Sequence, residues 1–141
     1  MHIKPGGFML TLLKFMAEKF FYQKFRNDAQ RFVEHSLSEG KTPFGILTGT
    51  VSINVVTLLD LLRLNRTTIN DVEQAMLFEL KVAEILFPQL TETERTDFVI
   101  ARGDRNVGST EKTSTVNALE FLRRKQREQL EPFLDSHQEK M

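Results

Sequence analysis

The chain has 141 residues, no cysteine, and 19 basic side chains against 19 acidic ones. The missing cysteine excludes disulfides, thiolate metal sites and thiol nucleophiles. The zero net charge lacks the basic surplus of a stand-alone nucleic-acid binder. With 40% hydrophobic residues, 27% charged residues, four prolines and seven glycines, the composition is that of one globular domain over 1–141, neither all-β nor disordered.

Residues 1–7 read as a flexible tail. The apolar run at 8–16 is broken by Lys14 and lacks a small-residue cleavage site, so no signal peptide is expected and a cytoplasmic location is. The pattern predicts a first helix over 8–38. Met9, Leu13, Met16 and Phe20 share one stripe, which Phe21, Phe25, Ala29 and Phe32 continue. Gly40 is the natural stop. A packing stripe needs three or four apolar positions per two turns, and this segment exceeds that. The surplus marks Phe15, Phe20, Phe21, Tyr22 and Phe25 as the expected contact with a partner, either a second copy or another protein.

Thr42 before Pro43 is an N-cap with proline at the first helical position, opening a second helix over 43–64. Residues 44–59 carry no charge and are rich in Ile and Val, so helix and strand compete. Helix is favoured because no second strand is on offer. Gly49 marks a place where it can break. Gly45 and Gly49 also form a G-x-x-x-G, but residues 42–59 include Thr48, Thr50, Ser52, Asn54 and Thr57. That is short and polar for a membrane span, so core packing is expected.

A third helix over 68–87 starts on Thr68 with Asp71 three residues on. Its stripe is Val72, Met76, Leu77, Leu80, Val82, Ala83 and Leu86, and Pro88 ends it. Thr91 and Glu94 form a capping box for a fourth helix over 91–101. Residues 102–113 are polar and read as an exposed loop. A fifth helix over 114–131 carries Val116, Leu119 and Leu122, then seven polar residues in a row from Arg123, and is expected to kink or end at Pro132. Residues 135–141 read as a frayed end. The expected fold is an all-α bundle of four to five helices, with a helical dimer as its assembled form.

Three motifs bear on chemistry. Residues 58–70 are spaced like a helix-turn-helix, with Arg66, Thr67, Thr68 and Asn70 as the DNA readers. Against this, Asp71 and Glu73 put negative charge where phosphates would lie, and residues 41–100 hold eight acidic against five basic side chains. An αα-corner is the preferred reading. Residues 102–110 have the outer spacing of a phosphate-binding loop, Gly103 and Gly108 before Ser109 and Thr110, but the lysine is missing. A nucleotide-binding role is therefore a distant alternative. Arg102-Gly103-Asp104 is also the adhesion tripeptide, too short to argue from. His2, His35 and His137 hold no metal-ligand spacing. His35 and Glu39, four apart, fit a solvated helix end, and no G-x-S-x-G marks a nucleophile. No catalytic residue, metal or cofactor is expected. The sequence points to a non-catalytic, regulatory or interaction protein, homodimeric through its Phe-rich first helix.

Overall fold

The computed structural model describes residues 28–103 and 112–139, which form helices and no strand. The all-α bundle holds. Residues 1–27, with the tail and most of the first expected helix, lie outside the described residues.

Helix α1 is Ala29–Ser38, and it begins later than the pattern suggested. Asp28 leaves helical geometry (φ −146°, ψ 75°) and its carboxylate accepts the backbone N–H of Arg31 at 3.0 Å. It is an N-cap, so α1 does not run back through Asp28. Gly40, at φ +87°, closes the other end. Its N–H donates to Leu37 and that of Lys41 to Ser36, the two bonds of a Schellman cap.

The next helix, α2, spans Pro43–Arg63. Thr42 caps it, accepting from Gly45 N–H at 3.0 Å. The β-branched residues find core on one side of this helix: Ile46, Val51 and Val55 are buried, with Leu47 beside them. Gly49 does not break the helix. Leu47–Val51 instead forms a π-turn, and Thr48 Oγ1 donates to the Phe44 carbonyl at 2.8 Å. By length and composition α2 could cross a bilayer, yet 53% of its most apolar stretch is buried inside the fold.

Asn65, in the left-handed region at φ +58°, turns the chain into α3, Ile69–Leu86. Asparagine tolerates this conformation better than branched residues do. Helices α2 and α3 run antiparallel in contact. Leu62 and Val72 share a buried cluster near the turn, and Ser52 meets Glu79 about two to three turns away. A 3₁₀ turn, Phe87–Gln89, follows at Pro88. Helix α4 is Glu92–Ala101, and Thr91 and Glu94 make the expected capping box. Thr91→Ala should lower stability by about 1 kcal/mol. Chemical denaturation checks this, and an unchanged midpoint would remove the cap from the account.

Helix α5, Thr115–Glu139, passes through Pro132 rather than ending at 131. Proline deprives the Glu128 carbonyl of its helical partner. Both residues are exposed, so water can take that place.

The buried side chains form two clusters. The upper one joins α1, the first half of α2, the second half of α3, α4 and the start of α5. Phe32 meets Phe78 edge-on with centroids 5.1 Å apart, and Phe87 meets Phe98 likewise at 5.2 Å. The lower cluster joins the second half of α2, the first half of α3 and Leu130 of α5.

Candidate functional site: a buried polar layer beside an apolar cleft

Between the two clusters lies a polar layer, one or two residues from each helix that crosses it. Ser52 comes from α2, Glu79 from α3, Arg102 from the end of α4, and Gln126 and Gln129 from α5. The Glu79 carboxylate is fully buried and the Arg102 side chain is 5% exposed. Glu79 Oε2 accepts from Ser52 Oγ at 2.6 Å and from Arg102 Nη1 at 2.9 Å. Its Oε1 accepts from Gln126 Nε2 at 3.0 Å, and the same amide donates to the Met76 carbonyl at 2.8 Å. Arg102 Nη2 reaches Gln129 Oε1 at 3.2 Å. The carboxylate thus has three donors, the condition for burying a charge without a prohibitive desolvation penalty. Arg102 Nε and Asn54 Oδ1 are buried without a hydrogen-bond partner among the described residues.

Helical spacing puts these groups inside. Val72, Met76, Glu79, Ala83 and Leu86 are buried at steps of four, three, four and three, the seam of a packed helix. Glu79 occupies one seam position. On α5, Ala118, Leu122, Gln126 and Leu130 are buried at steps of four. Two sequence readings are corrected here. Leu77, counted in the apolar stripe of α3, is 53% exposed, because the seam passes one residue away from it. Gln126, one of seven polar residues in a row, is buried. The signal for both was the helical spacing that runs through Glu79 and Gln126, which a count of apolar residues alone overlooks.

The loop expected at 102–113 is also corrected at both ends. Arg102 is in the core, so the adhesion tripeptide does not display its arginine. Thr113 is buried. Its backbone N–H donates to Thr96 Oγ1 at 3.1 Å, and its carbonyl accepts from Arg95 Nε at 2.7 Å. Residues 104–111, with most of the phosphate-loop spacing, lie outside the described residues.

Beside the polar layer a cleft of about 230 Å³ opens between α2 and α4. Thr48, Ser52, Ile53, Val56 and Thr57 line one wall; Phe98, Ala101 and Arg102 line the other. The π-turn ends at its edge. Ile53 and Val56 are each 43% exposed. The hydroxyls of Thr48 and Ser52 and the two terminal nitrogens of Arg102 are bonded back into the fold; Thr57 adds a hydroxyl, and the rest of the lining is chiefly methyl and aromatic surface. Among the described residues no group of acidic or histidine side chains is arranged to hold a metal ion.

The other expected site residues are placed as follows. Phe15, Phe20, Phe21, Tyr22 and Phe25 lie outside the described residues. Arg66, Thr67, Thr68 and Asn70 sit at the α2–α3 turn. Thr68 Oγ1 accepts from Asp71 N–H at 3.1 Å and Thr67 Oγ1 donates to the Asp71 carboxylate at 3.0 Å, so both hydroxyls serve the helix start. His35 and Glu39 form an ion pair at the exposed end of α1. Comparison with protein-family models, with curated proteins and with solved structures finds no match.

Proposed function

We propose that this chain is a non-catalytic helical interaction protein that pairs with a second copy of itself through its Phe-rich segment, Phe15, Phe20, Phe21, Tyr22 and Phe25. The observation that carries the reading is the α2–α4 cleft. It offers half-exposed Ile53 and Val56 for contact, while the hydroxyls of Ser52 and Thr48 and the two terminal nitrogens of Arg102 are bonded within the fold. Such a surface binds apolar side chains. The excess of phenylalanine ahead of Asp28 supports the same reading from the sequence side, since aromatic residues are enriched where proteins meet.

Light scattering tests it. The wild-type chain should have twice the mass of one copy, and Phe20→Asp or Phe21→Asp should return it to the mass of a monomer. A monomeric wild type would defeat the proposal.

A further inference from the structure

Resting on that self-association, we infer that the Phe-rich segment of each copy docks in the α2–α4 cleft of the other, giving a reciprocal, two-fold pair. Three observations meet here. First, Asp28 stops α1 from continuing upstream, since its backbone is non-helical and its carboxylate caps Arg31 N–H. The residues before it are therefore not bound to follow the α1 axis across their own domain. Second, the cleft is sized for aromatic side chains. A cavity of roughly 150 Å³ takes one benzene, and this one measures about 230 Å³. One ring enters it, and other aromatic side chains of the segment cover Ile53 and Val56. Third, the area fits a pair of contacts better than a single one. Three seated aromatics remove roughly 150–250 Å² each. Two segments then reach about 900–1,500 Å² before the cleft walls are counted, against roughly 1,200–2,000 Å² for a stable pair. A segment lying in its own cleft would use up both apolar surfaces within one chain and leave none for association. Exchange of one element across a two-fold axis closes the assembly at two copies.

Reciprocity gives a complementation test. Val56→Asp spoils every cleft in its homodimer, and Phe20→Asp with Phe21→Asp spoils every segment. Each variant alone should dimerise at least about tenfold more weakly than wild type. Mixed, they restore one intact cleft facing one intact segment, half of the wild-type contact, so a heterodimer should form more weakly than the wild-type pair but more tightly than either homodimer. It is read by light scattering and by pull-down of one tagged variant with the other. Val56→Lys, with circular dichroism and a thermal melt, serves as the second cleft variant should Val56→Asp unfold. Dimerisation of both cleft variants at wild-type strength would overturn the inference while leaving self-association standing. So would two weakened variants that gain no affinity when mixed. A monomeric wild type would remove both the inference and the reading beneath it.

Discussion

Arg102→Met should lower the free energy of unfolding by about 3–5 kcal/mol. The substitution roughly keeps the length of the side chain and removes its charge. It strands Glu79, which is fully buried and takes one of its three hydrogen bonds from Arg102 Nη1. A buried carboxylate without its cation is far more costly than a missing pair. The double variant Glu79→Leu with Arg102→Met should therefore recover part of the loss, because no charge is left behind. What remains comes from the Ser52 hydroxyl, which loses its acceptor, and from Gln126, which keeps only the Met76 carbonyl. Buried donors left without acceptors cost about 1–3 kcal/mol each. Urea unfolding of the four members of the cycle measures the coupling. A single-variant loss below about 1 kcal/mol would mean the layer is better solvated than its burial implies.

Phe87→Ala should cost about 3–5 kcal/mol. Phe87 is fully buried and packs edge-on against Phe98, a contact worth about 0.5–1.5 kcal/mol beyond the area alone. The space left behind cannot easily collapse. Arg95 Nη1 donates to the carbonyl of Phe87 at 2.8 Å and to that of Leu90 at 2.6 Å, and Pro88 fixes the next φ. The backbone is pinned on both sides of the deleted ring, so the cavity persists. Leu77→Ala is the control. That side chain is 53% exposed, and its loss should stay within about 0.5 kcal/mol. If the two variants unfold at the same urea concentration, the placement of the α3 seam is wrong.

The features legible in the sequence share a physical cause: each is decided within one turn of helix. The Thr42, Thr68 and Thr91 caps, the Gly40 stop and the Pro88 break depend on residues at most four apart, and all stand where they were expected. The polar layer depends on contacts across 23 to 47 positions, between Glu79 and Arg102, Ser52 or Gln126. A lone glutamate among apolar residues does not reveal that its partners wait on three other helices. Arg102 was misread for a related reason. It follows α4 directly and opens a polar stretch, so local composition places it in solvent, while helix geometry swings it back over the core. The start of α1 failed differently. The stripe 25–29–32 crosses Asp28 without interruption, and apolar periodicity cannot detect a cap whose side chain happens to fall on the wet face. The helix-or-strand contest in α2 turned on whether a partner strand exists, and among the described residues there is none, a question that local propensity could not answer.

The π-turn at Leu47–Val51 has the length arithmetic of an inserted residue: its wider loop of backbone holds one more residue than an α-turn does. Shortening the chain by one residue between Phe44 and Ser52 would return the segment to plain α-helix, and because the widened turn and the α-turn that replaces it sweep nearly the same angle, the faces on either side stay nearly in phase. Phe32 would keep its place beside Phe78, and the change would be confined to the wall of the cleft that Thr48 and Ser52 line. The π-turn is therefore slack in the helix, an extra residue taken up locally, and it makes this short stretch the part of α2 most tolerant of losing one.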